Sequence, residues 1–327
     1  MDRTGIAVLG TGSVGTRHLS AFQDAGARAV AVPLRPERRA ELAAAGFETA
    51  ESLAAARALG ASACVVATDT CRHVADALAA VAAGFDVLVE KPLSRDAESA
   101  RALLGAARAG GRRVRVACVL RFYRALERFR ERLPEAGSRH SVRIECRSYL
   151  PDWRPGRPYK ESYSARADEG GVLRDLIHEV DYAGWLFGWP DAVSARLGST
   201  GRLGIASEEW AELAWGDGGG AVTVGLDYLT RSPRRGARVL GADGALELDL
   251  VAGTTSFTTP AGEARTEPAP QPRDEAFRSQ ARAFLSLLKG GSDERLATLE
   301  DGWRAVAVCD AARRSSASGR TEEVGGL

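Results

Sequence analysis

The sequence has none of the long apolar stretches that mark a membrane protein. No run approaches the roughly 18 uninterrupted apolar residues of a membrane helix, and the first residues show no signal-peptide pattern. The 44 basic and 43 acidic residues leave a net charge of +1, so no global field favours nucleic acid or a membrane surface. We therefore expect a cytoplasmic protein without nucleic-acid or membrane partners.

Cysteine is scarce and forms no motif. The five cysteines are odd in number, widely spaced and free of any CxxC pair; they are Cys64, Cys71, Cys118, Cys146 and Cys309. This usage indicates reduced, buried thiols rather than disulfides. We expect no bound metal.

Lysine is scarcer still among the charged residues. Of the 44 Lys and Arg residues, only Lys91, Lys160 and Lys289 are lysines. Arginine does not usefully lose its proton, and its fork is bulkier than an ammonium group. A lysine that stands among so many arginines is therefore a candidate for a role that arginine cannot fill.

The chain length of 327 residues suits two domains rather than one core. In the first part, apolar strands alternate with alanine-rich helices, which predicts a doubly wound parallel sheet. The predicted strands are 4–9, 29–32, 63–67, 86–90 and 114–118, and the predicted helices are 14–25, 36–45, 73–83 and 96–109. We predict a dinucleotide-binding Rossmann domain over residues 1–120.

The pattern changes after about residue 120. Runs of strands there predict a second, α+β domain on a largely antiparallel sheet, over residues 121–327. The predicted strands are 142–149, 192–197, 209–215, 221–228, 237–241 and 245–250, and the predicted helices are 122–133, 172–187, 273–288 and 299–314. We expect Gly184 to interrupt the helix over 172–187, and the tail from Ser315 to be frayed.

A glycine-rich turn, Gly10-Thr11-Gly12-Ser13-Val14-Gly15, follows the first predicted strand and opens the first predicted helix. Gly10 permits the tight turn, Gly12 lets the backbone approach a pyrophosphate, and Gly15 allows close helix–strand packing. The helix N-terminus adds free N–H groups and partial positive charge. The alternative is a glycine turn without a ligand, but the strand–turn–helix context favours dinucleotide binding by Gly10, Gly12, Ser13, Val14 and Gly15.

The choice between NAD and NADP depends on the end of the second strand. An NAD enzyme usually carries Asp or Glu there, to hold the ribose diol. This chain has Arg35 instead, followed by Arg38 and Arg39. A guanidinium suits a 2′-phosphate, so the sequence favours NADP over NAD. The alternative is that these arginines are solvated helix residues.

The segment Glu90-Lys91-Pro92 ends a predicted strand, at the sheet edge where such folds bind ligands. The Lys91 ammonium would hydrogen-bond a substrate hydroxyl and stabilise oxygen charge during hydride transfer. The alternative is a surface salt bridge. The position and the scarcity of lysine favour the functional interpretation.

A second cluster of chemistry-bearing residues follows Gly170-Gly171. On a continuous helix, Asp175 and His178 share a face, with Asp181 three residues further on. Histidine suits acid–base work near neutral pH, and a carboxylate orients its ring. A buried structural histidine is the alternative.

These motifs, in this order, resemble those of the glucose–fructose oxidoreductase/inositol dehydrogenase (Gfo/Idh/MocA) family: GxGxxG with His18 shortly after it, then Glu-Lys-Pro, then Gly-Gly with an aspartate and a histidine. The resemblance implies reversible oxidation of a sugar or cyclitol hydroxyl, and an open second sheet that often mediates dimers or tetramers. It also implies that Lys91, Asp175 and His178 are catalytic. The family more often spaces that aspartate and histidine four positions apart, whereas Asp175 and His178 are three positions apart in this chain.

Further site residues follow from the same resemblance and from composition. Thr68, Asp69 and His73 fall in the loop that contacts the nicotinamide ribose, and we add Glu90 and Lys91 to the cofactor-binding set. The aromatic and arginine-rich loop over 151–164 suits a sugar ring and an anionic group, with a subunit contact as its alternative. The predicted substrate-binding residues are Arg121, Tyr123, Trp153, Arg154, Tyr163, Asp175 and His178.

We therefore predict an NAD(P)-dependent dehydrogenase or ketoreductase that interconverts a secondary alcohol and a ketone on a sugar, amino sugar or cyclitol. Two alternatives stay open on the same fold. One is a non-catalytic NAD(P)-binding sugar or redox sensor, which the altered Asp–His spacing supports. The other is an epimerase or lyase that uses the nicotinamide transiently. We expect a homodimer or homotetramer.

Overall fold

The structure, a computed structural model, describes residues 3–216 and 218–327. Strands form where apolar residues run without interruption or alternate with polar ones. In chain order they are β1 Gly5–Leu9, β2 Arg28–Val32, β3 Glu48–Thr49, β4 Ala61–Val66, β5 Asp86–Glu90, β6 Val114–Ala117, β7 Arg139–Tyr149, β8 Ala192–Gly198, β9 Trp210–Gly216, β10 Ala221–Asp227, β11 Leu229–Gly241, β12 Gly244–Asp249, β13 Thr254–Thr258, β14 Ala264–Pro268, β15 Ala297–Thr298 and β16 Glu322–Glu323.

The helices are mostly amphipathic and bury one face. They are α1 Ser13–Asp24, α2 Pro36–Ala44, α3 Leu53–Ala58, α4 Thr70–Ala82, α5 Ala97–Ala109, α6 Arg124–Arg132, α7 Val172–Asp175, α8 Ile177–Phe187, α9 Arg273–Leu288 and α10 Leu299–Ser318. Short 3₁₀ turns lie at Val119–Phe122, Leu133–Ala136, Leu150–Asp152, Tyr159–Glu161 and Tyr163–Ala165.

The described residues form two compact units. The first runs up to Phe122 and also contains Pro272–Trp303; the second consists of Tyr123–Gln271 and Arg304–Leu327. Lys289 therefore belongs to the same unit as Lys91.

The first unit is built on a seven-stranded sheet in the order β15-β6-β5-β4-β1-β2-β3. Strands β1 to β6 pair in parallel, whereas β15 pairs antiparallel with β6. Every residue of β1 and β5 is buried, as expected for strands covered on both faces. The chain reverses its direction of winding between β1 and β4, which is where doubly wound sheets open a ligand crevice at the strands' carboxyl ends.

The second unit is built on a nine-stranded sheet in the order β14-β13-β12-β11-β7-β10-β9-β8-β16. All its pairings are antiparallel except that of β7 with β10. In the middle of β7 every second residue is buried, namely Val142, Ile144 and Cys146. Their side chains point to the face against which α8 packs.

These sheets confirm the predicted fold class, a parallel Rossmann-type sheet followed by a mostly antiparallel one. Two local predictions are wrong. The helix predicted over 172–187 breaks at Leu176 rather than at Gly184, which lies inside α8 where a Cβ would come within 2.4 Å of the Trp189 indole. The tail is ordered rather than frayed: α10 continues to Ser318, and β16 pairs with β8.

Within the two described ranges, no helix is both long and apolar enough to cross a membrane. The five cysteines are thiols, and four of them are buried, Cys71 being the exposed one. The same ranges hold no group of three His, Cys, Asp or Glu residues suited to a metal ion.

Candidate active site

The glycine-rich turn at the end of β1 contains three glycines with different surroundings. A Cβ at Gly10, whose φ is +84°, would lie 2.6 Å from the carbonyl oxygen of Ala67. A Cβ at Gly15 would lie 1.9 Å from the carbonyl oxygen of Gly10. Both positions need glycine because another stretch of backbone passes too close. A Cβ at Gly12, by contrast, would meet no atom within 4 Å.

Helix α1 begins beside the open space at Gly12. Gly12 is its N-cap, no side chain caps it, and Ser13 is exposed with Val14 half-buried. The first N–H groups of the helix are therefore available to an anion, together with the positive end of the helix dipole. Space, donors and charge all fit the pyrophosphate of a dinucleotide.

Two arginines follow the end of β2. Arg35 is exposed and is the N-cap of α2. Arg38 extends back to the glycine turn, where its Nε donates to the Thr11 carbonyl at 3.2 Å and its Nη2 to the Thr16 hydroxyl at 3.2 Å. Arg38 also pairs with Glu41 at 2.8 Å. The end of β2 is therefore cationic, and it carries no acid to hold a ribose diol.

The turn after β4 is fixed by its own side chains. The Thr68 hydroxyl donates to the Asp76 carboxylate at 2.8 Å, and Asp76 also pairs with Arg72 at 3.0 Å. Asp69 is exposed as the N-cap of α4, whereas the ring of His73 is buried below the turn. Asp69 and the backbone of Thr68 remain candidates for contact with a cofactor, but the His73 ring nitrogens bond to protein carbonyls instead.

Glu90 organises the end of β5. Its carboxylate accepts from His18 Nε2 at 2.7 Å and from the Lys91 backbone N–H at 3.1 Å. Burial alone would raise the pKa of Glu90, but the hydrogen bond from His18 and the charges of His18, Lys91 and His73 hold it below its usual value. Glu90 is thus an anion on which the charge of the half-buried Lys91 acts, and its carboxylate is already engaged by protein donors.

In the second unit, Gly170 and Gly171 bring a tyrosine turn close to α7. A Cβ at Gly170 would lie 2.2 Å from the Tyr163 carbonyl oxygen, and one at Gly171, with φ +93°, would meet the Glu208 carboxylate at 2.3 Å. Glu208 in turn accepts from the Leu173 N–H at 3.4 Å. The double glycine therefore permits the close approach that places Tyr163 beside the helix carrying Asp175.

Asp175 lies between two tyrosines. The Tyr228 hydroxyl donates to Asp175 Oδ2 at 2.6 Å, and Tyr163 also hydrogen-bonds this carboxylate. Burial, followed by the negative charge of Asp175, raises the pKa of both phenols. Both tyrosines are therefore protonated donors at neutral pH. Tyr228 is fully buried, whereas Tyr163 is 37% exposed and can present its ring to a ligand.

His178 lies on α8, beyond the break at Leu176, and is 8% exposed. Asp175 and His178 are therefore on two successive helices rather than on the single predicted helix. The next residue, Glu179, is completely buried and pairs with Arg235 at 2.7 Å. This ion pair anchors α8 to β11 directly beside His178.

The loop over 151–164 carries exposed aromatic and basic side chains. The Trp153 indole donates to the Ser148 hydroxyl at 3.0 Å and packs edge-on against Tyr228, with centroids 5.4 Å apart. Arg154 is exposed, and its charge acts on the Tyr163 hydroxyl. Trp153, Arg154, Tyr163 and Asp175 are thus neighbours within this unit.

Two predicted substrate-binding residues have different settings. Arg121, in the first unit, is 1% exposed and pairs with Asp301 at 3.3 Å. This burial does not favour substrate contact. Tyr123 belongs to the second unit, where it is half-buried at the N-cap of α6.

Tyr228 was absent from the sequence-based set of site residues. It follows strand β10, and 53 residues separate it from Asp175. Its only sequence signal is an aromatic residue at the end of an alternating strand, which is also typical of an ordinary core residue. The role of Glu208 under the double glycine gave no sequence signal either.

Comparison with known proteins defines the class to which these features belong. The model of an oxidoreductase family's NAD-binding Rossmann fold matches residues 4–118, and the model of that family's C-terminal alpha/beta domain matches residues 142–324. The chain is thus an oxidoreductase with an NAD(P)-binding Rossmann domain. It belongs to the Gfo/Idh/MocA family, which confirms the resemblance inferred from the motifs.

Two curated relatives cover nearly the whole chain. Inositol 2-dehydrogenase 2 of Saccharopolyspora erythraea is 29% identical over 98% of this chain and 95% of its own. Inositol 2-dehydrogenase 1 of Mycolicibacterium vanbaalenii is 28% identical over 98% and 96%. Among solved structures, levoglucosan dehydrogenase with NADH and levoglucosan has a TM-score of 0.87 at 20% identity, covering 99% of this chain and 100% of that one. That likeness supports the fold.

Proposed function

We propose that this oxidoreductase interconverts a secondary alcohol and a ketone on a sugar, amino sugar or cyclitol. The observation that carries the proposal is the glycine cradle, in which open space at Gly12 faces an uncapped helix N-terminus. Membership of the family supports the redox chemistry. The names of the full-length relatives, inositol 2-dehydrogenases, support a polyhydroxylated ring as the substrate.

We propose that Gly12, Ser13, Val14 and the α1 N-terminus hold the dinucleotide pyrophosphate. A bound nicotinamide would supply the hydride acceptor in oxidation, or the donor in reduction. Lys91 then stabilises negative charge on the substrate oxygen, because it follows β5 at the carboxyl edge of the sheet and the neighbouring Glu90 carboxylate is already engaged by other donors. Glu90 acts through Lys91 by fixing its backbone.

We propose that His178 accepts the hydroxyl proton during oxidation and returns it during reduction. Asp175, bonded to Tyr228 and Tyr163, is an anchored carboxylate that accepts a hydrogen bond from a neighbouring substrate hydroxyl. Trp153 offers an apolar ring to the substrate, and Arg154 offers a guanidinium to an oxygen-rich group. Tyr123 remains a further candidate contact in this unit.

The proposed preference is for NADP over NAD. Its support is the cationic end of β2, where Arg35 is exposed and no acid is present. Arg39, half-buried and paired with Glu51 at 3.5 Å, provides the matched control. Arg35→Ala should weaken NADPH binding about tenfold, roughly the loss of one exposed phosphate contact, without weakening NADH binding, and Arg39→Ala should change neither. An equal effect of Arg35→Ala on NADPH binding and on NADH binding would contradict the proposed preference for NADP.

Lys91→Ala tests the catalytic proposal, and Lys289→Ala is its control because Lys289 is an exposed lysine of the same unit. We expect a panel of cyclitols, sugars and amino sugars to reveal turnover as a change in nicotinamide absorbance. Lys91→Ala should lower kcat about a hundredfold or more with little change in cofactor affinity. Near-normal turnover in Lys91→Ala would contradict the role of this lysine.

The same panel separates the two alternative functions. Tight NAD(P)H binding without conversion of any compound would indicate a sensor. Product formation without a net change in nicotinamide absorbance would indicate an epimerase or lyase.

We propose a cytoplasmic location, because an odd number of thiols, four of them buried, suits a reducing compartment. We also propose a homodimer or homotetramer formed through the nine-stranded sheet. Its solvent-facing side chains include Arg143, Arg238 and Glu247, which are exposed on one face. Light scattering of the purified protein would show the oligomeric state.

A further inference from the structure

We propose that His73 is a doubly protonated imidazolium that ties together the ends of two neighbouring strands and thereby positions Lys91. His73 Nδ1 lies 2.8 Å from the carbonyl oxygen of Pro92, and Nε2 lies 3.0 Å from the carbonyl oxygen of Thr68. The residue is 2% exposed. The consequence for catalysis rests on the proposed role of Lys91, whereas the charge of the ring does not.

The two partners determine the protonation of the ring. A carbonyl oxygen only accepts hydrogen bonds, and a neutral imidazole has a single N–H to donate. A neutral His73 would therefore satisfy one carbonyl and turn a nitrogen lone pair toward the other at hydrogen-bond distance. In a buried site such a contact is costly. The imidazolium donates to both oxygens and removes the conflict.

The surroundings supply a counter-charge. The Glu90 carboxylate interacts electrostatically with His73. The other charged groups nearby are paired or act on the same carboxylate: Arg72 and Asp76 of α4 pair with each other, and His18 and Lys91 act on Glu90. The positive ring thus lies in the field of an anionic carboxylate, which it shares with His18 and Lys91, and is not an isolated buried charge.

The two hydrogen bonds of His73 join the ends of two strands next to Lys91. Thr68 follows β4 and Pro92 follows β5, and these strands pair in parallel up to Val66 and Val89. Lys91 has the Glu90 carboxylate on its own N–H, and the next residue's carbonyl is held by His73. The backbone on both sides of Lys91 is therefore fixed from the protein interior. Loss of one ring proton removes one of the two His73 bonds and loosens this segment.

Nuclear magnetic resonance of the wild-type protein with ¹⁵N-labelled histidine tests the charge directly. The chain has only four histidines, so few ring signals compete. At about pH 7.5, where an unperturbed imidazole is largely neutral, both His73 nitrogens should carry protons. The His73 signal is the one that disappears in His73→Asn or His73→Gln. A ring with one unprotonated nitrogen at that pH would overturn the proposal, whatever the enzyme turns over.

The two substitutions also test positioning, because each keeps one bond. An Asn amide nitrogen replaces Nδ1 and retains the Pro92 contact, while a Gln amide nitrogen replaces Nε2 and retains the Thr68 contact. We expect each variant to lower kcat about tenfold, since small displacements of a catalytic group are that costly, with KM nearly unchanged. His140→Gln, at an exposed position, should behave as wild type.

Wild-type kcat in either single-bond variant would overturn the positioning role. Absence of turnover in the wild-type protein would instead count against the proposed function, and the resonance measurement would still decide the state of His73.

Discussion

Alanine substitutions at Gly12 and Gly15 should separate cofactor binding from folding within one turn of chain. A Cβ at Gly12 meets no atom within 4 Å, and the residue's φ of −68° is one that alanine adopts readily. Gly12→Ala should therefore change the free energy of unfolding by less than about 1 kcal/mol, the scale of an N-cap exchange. Its methyl group would occupy the space in which we place the pyrophosphate.

Gly15→Ala, by contrast, should destabilise the fold. Its Cβ would lie 1.9 Å from the Gly10 carbonyl oxygen and 2.9 Å from the carbonyl carbon, so the backbone itself must move. Overpacking of this kind costs about 1–3 kcal/mol, and the upper end applies because backbone atoms cannot rotate aside. For a unit of this size, about 3 kcal/mol lowers Tm by about 6–12 °C.

Two assays on both variants separate the effect on folding from the effect on cofactor binding. Thermal unfolding followed by circular dichroism gives Tm, and quenching of intrinsic tryptophan fluorescence gives the Kd for NADPH. We expect Gly12→Ala to keep Tm within about 4 °C of wild type and to raise Kd at least about tenfold. Equal Tm values for the two variants would refute the close approach at Gly15, and unchanged Kd in Gly12→Ala would refute the cradle.

Two further changes test other parts of the site, and a third tests a buried carboxylate that supports the fold of the second unit. Tyr228→Phe removes one donor from the Asp175 carboxylate and should lower kcat about tenfold with the fold retained by circular dichroism; unchanged kcat would contradict the anchoring role. Glu90→Gln should cost about 1.5–3 kcal/mol at neutral pH in urea unfolding. Because the folded-state pKa of Glu90 lies below its ordinary 4.5, this stabilisation is present above that pH and is lost as pH falls below it, so the variant and wild type should converge in acid. The side chain of Glu209 is fully buried and accepts from the Thr200 and Leu203 N–H groups. Glu209→Gln should lower the free energy of unfolding by about 2–4 kcal/mol, and a value equal to wild type would contradict the stabilising role of these bonds.

Much of the first unit was predictable because its signals are local. The strand–glycine–helix pattern at Gly10–Gly15 and the alternation of strands and helices depend on residues close in sequence. The short elements β3, α3 and β15 were missed, since two to six residues carry too little periodicity. The association of Pro272–Trp303 with the first unit depends on contacts distant in sequence, such as the edge-on packing of Phe22 against Phe284 at 6.2 Å.

The candidate site was predicted in its residue types but not in its arrangement. Spacing placed Asp175 and His178 on one helix, but the break at Leu176, with φ −99° and ψ 28°, puts them on two. Asp175 accepts a hydrogen bond from Tyr228, a contact that no helical spacing encodes. His73 was predicted as a cofactor ligand because of the loop it follows, whereas its buried ring bonds to two backbone carbonyls, which only the folded chain brings within reach.

The ordered tail has a consequence for the nine-stranded sheet. Glu322 and Glu323 pair with Val193 and Ala192 on β8, and the Val324 N–H continues the contact by donating to Asp191 at 2.8 Å. Without the tail, this part of β8 would present a row of unsatisfied backbone groups, the template on which one chain recruits another into aggregates. Glu322 pairs with Arg314 at 3.9 Å, whereas Glu323 is exposed and leaves a negative charge at the rim, which disfavours pairing with a second copy of the same edge. The last residues therefore cover this edge of the sheet. Removing the residues after Ser318 would expose the backbone of β8 and should favour aggregation.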